Sequence, residues 1–256
     1  MMFDLNSFSL KGKTAIITGG ASGLGEYYTK AILKVGGRVL IVSRTDKNWD
    51  AMKDYANQLG ADLRFFKQDL TAADAPAKIV NDALKEFGQI DILVNNAGMQ
   101  LRNEWQAYRD EDWNRVVNLN LNAVYFLSHA VAKEMAKQKS GKIINIGSMQ
   151  SFRAGKYIFP YTASKHGIVG LTKAYADALA PDNIQVNAIA PGYINTPMTK
   201  ALQEDPVRSK EILEHIPAGH WADPSELMGV VVFLASAASN YITGVTLPVD
   251  GGYLLR

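Results

Sequence analysis

The sequence has no cysteine, which excludes disulfides, thiolate catalysis and cysteine-ligated zinc, and is compatible with a reducing compartment. It has almost no net charge. Its 27 Lys and Arg against 25 Asp and Glu leave +2, and the basic residues are spread along the chain, so nothing marks a nucleic-acid or anionic-membrane surface. No apolar run approaches membrane-spanning length, and Met1 to Leu10 has no basic segment followed by an apolar core. A cytoplasmic protein without a membrane or nucleic-acid partner, and without a metal, is the expectation. Linker-like, low-complexity and solenoid-repeat stretches are also missing, so the 256 residues are expected to form one domain. A composition 47% hydrophobic and 20% charged suffices to bury a substantial core.

What is present is a regular alternation. Lys13 to Thr18, Arg38 to Ser43, Leu63 to Lys67, Ile90 to Val94, Lys142 to Gly147, Ile184 to Ile189 and Val245 to Val249 are short apolar runs that suit buried strands. Between them lie helical patterns, among them Asp50 to Leu59, Ala72 to Phe87, Asp112 to Gln138 and Pro224 to Ala235, the last with Asp223 as N-cap and Glu226 three residues on. This predicts an α/β fold, a doubly wound parallel sheet of about seven strands with helices on both faces.

Chemistry collects where such strands end. After the first, Gly19, Gly23 and Gly25 stand at a strand-to-helix turn, where backbone can approach a pyrophosphate and free N–H groups meet its charge; a plain tight turn is the alternative. After the second come Ser43 and Arg44 rather than a carboxylate. That favours NADP over NAD, unless Arg44 is solvated or stacks on adenine. Asp69, past the third strand, suits the adenine amino group. Asn95-Asn96-Ala97-Gly98 follows the fourth strand, and its asparagines suit ties between strand ends more than direct cofactor contact. Asn118, Asn120 and Asn122 interrupt the long fourth helical pattern with poor helix formers, a local inconsistency of the kind that marks functional sites.

Tyr161 and Lys165 are four apart on a predicted helix, hence on one face. An ammonium beside a phenol lowers its pKa toward the range of a general acid/base, and Ser148, where the fifth strand ends, can hold and polarise a carbonyl oxygen. For the pair alone, a packed aromatic and a solvated charge is the plain alternative.

Taken together, Gly19, Gly23 and Gly25, Asn95 to Gly98, Ser148, Tyr161, Lys165 and the Pro191-Gly192 turn resemble the short-chain dehydrogenase/reductase family over essentially the whole chain. The resemblance implies a Rossmann-type fold, an NAD(P) cofactor, Asn120 as a fourth catalytic residue anchoring a water, and Lys165 on the nicotinamide ribose. It further implies cofactor contacts from Ser22, Leu24, Leu70, Asn96, Ala97, Gly98, Pro191, Gly192, Ile194 and Thr196, the last two at the nicotinamide amide. A homotetramer of dihedral symmetry is implied as well.

A finer resemblance, carried by Ile216 to Trp221, Asp223 to Gly229 and the ending Val249 to Arg256, is to bacterial 2-dehydro-3-deoxy-D-gluconate 5-dehydrogenases. It implies hydride transfer at C5 of a six-carbon keto sugar acid in uronate catabolism. Members of that group are usually NAD-linked, against Ser43-Arg44, and His220 stands where an arginine is common. Arg102 and Arg153 suit a substrate carboxylate, with a surface charge or an intersubunit bridge as the alternative for each, and Gln150 suits hydroxyls. Residues 197–216 are expected to form a mobile lid, interrupted by Pro206. Gluconate 5-dehydrogenation, 3-oxoacyl reduction and a non-catalytic dinucleotide-sensing scaffold are the competing functions.

Overall fold

Strands built of Val, Ile and Leu without polar alternation are stable only where both faces are covered. In the structure, a computed structural model describing residues 4–256, such strands form the middle of a seven-stranded sheet. The first three residues of the Met1 to Leu10 stretch lie outside the described residues. The strands are β1 (Thr14–Thr18), β2 (Arg38–Ser43), β3 (Leu63–Lys67), β4 (Ile92–Asn95), β5 (Gly141–Ile146), β6 (Ile184–Pro191) and β7 (Thr246–Val249). Every residue of β1, β4, β5 and β6 is buried. Pairing is parallel throughout, in the order β3-β2-β1-β4-β5-β6-β7. The order reverses between β1 and β4, which puts the ligand crevice of a doubly wound sheet beyond their carboxyl ends. β7 is an edge strand and carries Pro248, a residue that central strands do not accommodate.

Successive strand side chains point to opposite faces, so Ile17 and Ile144 join one core layer while Ile16 and Ile143 join the other. The first layer packs under α1 (Gly23–Lys34), α2 (Trp49–Leu59) and, later in the chain, the apolar helix Met228–Ala235. The second packs under α3 (Ala75–Phe87) and the helices that follow it.

The long helix expected from Asp112 to Gln138 is divided. α4 (Asp110–Val117) passes through a five-residue π turn, Asn118–Asn122, into α5 (Ala123–Gln138). All three asparagines fall in that turn, which widens the helix where they sit. α6 (Phe159–Leu179) carries Tyr161 and Lys165. The expected mobile segment is two helices, α7 (Lys200–Gln203) and α8 (Pro206–His215). Pro206 opens α8 rather than interrupting a helix, with Asp205 accepting from the Val207 and Arg208 amides. Nor is the segment free of the core, because Ile212 is buried with Met149, Ile216 and Tyr253. The last helix, α9 (Met228–Ala235), follows a single 3-10 turn with Asp223 and Glu226 in a reciprocal capping box.

One buried group in this core is out of keeping with it. Tyr28 on α1 is fully buried, and its hydroxyl has no hydrogen-bond partner among the described residues; burial pushes its pKa up. Removing an unpaired buried hydroxyl without changing the ring relieves its desolvation cost. Tyr28→Phe is therefore expected to raise the unfolding free energy by about 1 kcal/mol, read from urea denaturation midpoints. A loss of that size would mean that the hydroxyl is bonded in solution.

Candidate active site

The carboxyl ends of β1, β4, β5 and β6 open into a cleft of about 490 Å³. At β1 the chain turns with Gly19 at φ +65°, a conformation that favours glycine, and α1 begins so close behind that a Cβ on Gly25 would run into the Gly19 carbonyl. The turn is tied to β4. Asn96 Nδ2 donates to the Thr18 carbonyl at 2.9 Å, and Thr18 Oγ1 accepts from the amides of Asn96 and Ala97, each at 3.0 Å. Asn95 points below the cleft, where Nδ2 donates to Ser128 Oγ and Asn145 Oδ1, both at 2.9 Å.

At one end of the cleft Ser43, Arg44 and Leu70 line the wall. Asp69 does not reach it. Its carboxylate accepts from the Thr71 amide and hydroxyl at 2.9 and 2.8 Å. These bonds, with a smaller contribution from Arg44, hold its pKa below the usual carboxylate value.

At the other end Ser148, Tyr161 and Lys165 line the wall. Ser148 accepts from the Gln150 amide at 3.1 Å, and its own N–H donates to Ser151 Oγ at 3.2 Å. That serine hydroxyl donates in turn to the Lys165 carbonyl at 2.8 Å, locking the turn after β5 to α6. Lys165 Nζ lies 5.5 Å from the centre of the Tyr161 ring and donates to the Ile146 carbonyl at 2.6 Å.

The lowered tyrosine pKa expected from this pair is not what the structure holds. Burial pushes Tyr161 up, with a hydrogen bond to Ser148 working against it, and burial brings Lys165 down to about 8. The ammonium is turned to a main-chain oxygen, and desolvation is the largest cause acting on the phenol.

Asn120 is buried under the cleft without lining it. Oδ1 accepts from the Met99 amide at 2.9 Å, and Nδ2 donates to the Met99 carbonyl at 2.9 Å and to Ser164 Oγ at 3.3 Å. Arg102 lines the cleft and gives one N–H to the Lys156 carbonyl at 2.9 Å, leaving the rest of its fork free of that bond. Arg153 is not on the cleft wall: its guanidinium covers the Tyr253 ring at 4.9 Å. Gln150 is buried and on the wall. Gly19, Ser22, Gly23, Leu24, Ala97, Gly98, Pro191, Gly192, Ile194 and Thr196 also line the wall, whereas Gly25 does not. His220 is exposed and off the cleft, beside the Ala218 carbonyl and Glu226, which raise its pKa.

Several wall-building residues escaped the sequence reading. Tyr193 lines the cleft, edge-on to Trp221 and Tyr253 at 5.0 and 5.1 Å, and burial raises it to about 12. Tyr108 places its hydroxyl 2.7 Å from the Leu101 carbonyl and 2.8 Å from that of Tyr157, a residue held at φ +65°. Nothing local in the sequence pairs segments so far apart. Ser151 had a signal, the serine three after Ser148 that a reciprocal cap requires.

The walls suit a dinucleotide: a glycine turn at a helix start for a pyrophosphate, an arginine and a serine at the β2 end, and a lysine and a tyrosine at the far end. The short chain dehydrogenase family profile matches residues 13–207. The chain is 46% identical to the uncharacterized oxidoreductase YgcW of Escherichia coli K12, over 99% of this chain and 97% of that one. It is 44% identical to a 2-dehydro-3-deoxy-D-gluconate 5-dehydrogenase of the same organism, over 98% and 99%. Among solved structures, a gluconate 5-dehydrogenase from Burkholderia cenocepacia, in complex with NADP and tartrate, superimposes with a TM-score of 0.94 at 35% identity, covering 98% of this chain and 99% of that one. With fold, cleft and sequence in agreement, the chain belongs to the short-chain dehydrogenase family and is an NAD(P)-dependent oxidoreductase acting on hydroxyl and keto groups.

Proposed function

We propose that this protein interconverts a ketone and a secondary alcohol at C5 of a six-carbon sugar acid, with NADP(H) as the preferred dinucleotide. The single observation that carries the reading is the cleft wall on which Ser148, Tyr161 and Lys165 stand with Arg102, a proton donor beside a cation suited to a carboxylate. The names of the similar proteins, a 2-dehydro-3-deoxy-D-gluconate 5-dehydrogenase and a gluconate 5-dehydrogenase, support a sugar acid. A 3-oxoacyl substrate would give Arg102 no carboxylate to bind.

A bound nicotinamide supplies or accepts the hydride. In the direction of reduction, Tyr161 gives its hydroxyl proton to the oxygen that becomes the alcohol, and Ser148 donates a hydrogen bond to the same oxygen. Lys165, charged below about pH 8, supplies the positive field that offsets the anionic tyrosine after proton transfer. Asn120 keeps the Met99 and Ser164 segments fixed around that lysine's helix. Arg102 orients the substrate through its carboxylate, Ser43 and Arg44 take the 2′-phosphate, and residues 197–216 close over the substrate from the side of Met198 and Leu202. The protein is proposed to act as a homotetramer in the cytoplasm.

Three outcomes test this. Tyr161→Phe is expected to lower kcat with a keto sugar acid by at least about a hundredfold, the usual weight of a positioned proton donor; near-normal turnover would end the assignment. Arg44→Ala is expected to raise the KM for NADPH at least about tenfold while leaving that for NADH nearly unchanged, because a charge-assisted contact to the phosphate is lost. Equal changes for both would remove the phosphate role. The pH sign follows from the direction of the shifts: as pH rises, Lys165 loses its proton near 8, while burial makes Tyr161 hold its own to higher pH than an ordinary phenol. Difference absorption between the wild type and Tyr161→Phe, without dinucleotide, should thus show no phenolate from Tyr161 at pH 9, and a phenolate signal there would restore the lowered pKa.

A further inference from the structure

Among the described residues, three that are not glycine hold a positive φ: Lys139, Tyr157 and Asn183. Lys139 and Asn183 each cap the end of a helix or helical turn, where a left-handed residue is ordinary. Tyr157, at φ +65°, caps none. It lies in a turn just ahead of α6, and a bulky side chain in that conformation is a steric outlier. Lys156 Nζ stands 4.9 Å from the centre of its ring, a surface contact of small weight.

What the turn does is aim carbonyls. The Lys156 carbonyl accepts from Arg102 Nη1 at 2.9 Å. The next carbonyl, that of Tyr157, accepts from the Asn103 backbone N–H at 3.1 Å and lies 2.8 Å from the Tyr108 hydroxyl. Two successive peptides thus face the one loop that carries Arg102 to the cleft wall. Peptides are planar, so φ of Tyr157 is the dihedral that orients the Lys156 carbonyl against its own. An ordinary φ near about −65° would rotate one against the other by about 130°, and the two acceptors would no longer face one loop.

We propose that Tyr157 is a positioning residue for Arg102: its left-handed backbone, not its side chain, holds the guanidinium where a substrate carboxylate is met. This rests on the sugar-acid reading above and adds the device that sets its carboxylate contact. An exposed arginine has many rotamers, and fixing one of them in advance lessens the ordering cost when the acid binds. Tyr108 supports the same arrangement, its hydroxyl standing between the Leu101 and Tyr157 carbonyls at 2.7 and 2.8 Å.

The test sets 5-keto-D-gluconate against its uncharged amide, 5-keto-D-gluconamide, with the full chain and NADPH. Wild-type kcat/KM is expected to favour the acid by at least about tenfold, the weight of a hydrogen bond to a charged group. Two variants lose the same phenol and differ in backbone preference, because asparagine enters the left-handed region far more readily than a β-branched residue. Tyr157→Asn is expected to keep the acid-to-amide ratio within about twofold of wild type, and Tyr157→Val to lower it at least about fivefold, through KM for the acid rather than kcat. Tyr108→Phe, which takes the hydroxyl from the Tyr157 carbonyl, is expected to lower the ratio about threefold.

Any result in which Tyr157→Val loses no more of the ratio than Tyr157→Asn overturns the proposal: the turn then positions nothing, or the phenol and not the backbone is the device. A wild type inert on both ketones overturns the sugar-acid reading, and one that reduces both equally well removes the Arg102 contact; this inference goes with either. NADPH affinity, followed by fluorescence, reports whether each variant is folded. Should either Tyr157 variant fail to fold, Tyr108→Phe decides, an unchanged ratio overturning the proposal and the threefold fall sustaining it.

Discussion

An ammonium taken out of water at the end of a strand must find an oxygen, and Lys165 finds the Ile146 carbonyl at 2.6 Å. That bond fixes where α6 crosses the end of β5. It is not alone: the Lys165 carbonyl accepts from Ser151, whose Oγ caps the turn that begins at Ser148. Lys165 and the Ser148 turn therefore belong to one set of hydrogen bonds between a strand end, a short turn and the helix that also carries Tyr161. In the proposed reaction such a set would leave little to rearrange when a ketone oxygen meets Ser148 and Tyr161, which is where preorganised donors contribute most.

Beneath that set lies a second polar layer that touches no part of the cleft. Asn95 donates to Ser128 and Asn145, and Asn145 donates to Thr172 at 2.9 Å, so β4, β5, α5 and α6 are joined by side chains that are all buried. Polar networks in a core are tolerated when every member is paired. Here they fix the depth at which α6 sits on the sheet, and hence the height of Tyr161 above Ile146. Asn120 does the same from the side of the π turn, gripping Met99 on the loop that carries Arg102. The side chains on the cleft wall are thus set in part by amides that do not line the cleft.

This division explains which parts of the molecule were legible in the sequence. The sheet was legible because parallel strands are buried on both faces and read as unbroken apolar runs; β2 and β3 were placed to the residue. The Tyr161 and Lys165 pairing was legible because helical spacing is local. The three asparagines gave notice of an irregular helix, and the π turn is that irregularity, although its form was not readable. What escaped depends on contacts between distant segments. Arg153 is drawn to Tyr253, a hundred positions later in the chain, and Tyr108 to Tyr157. Neither pairing leaves a periodic mark. The direction of the Tyr161 shift escaped for a different reason: spacing told of a neighbouring charge, while burial, the largest cause of the shift, is a property of the whole fold.

The loss of Arg153 from the cleft sharpens the chemistry of the substrate end. Two arginines on one carboxylate would bind any small acid firmly and discriminate little among acids. With Arg153 turned onto Tyr253, which in turn braces Tyr193 against Trp221, that guanidinium bears on the wall from behind, and Arg102 is the cleft arginine on the Asn95 to Gly98 side. A single bond from Lys156 steadies Arg102 without occupying its whole fork. In the proposed reaction one arginine then meets the acid, and the choice among acids falls to the polar groups nearer the reacting carbon. Binding made next to the reacting bond is the kind that differs between ground state and transition state, so in the proposed reaction the contacts at the Ser148 turn would bear on turnover more than on capture.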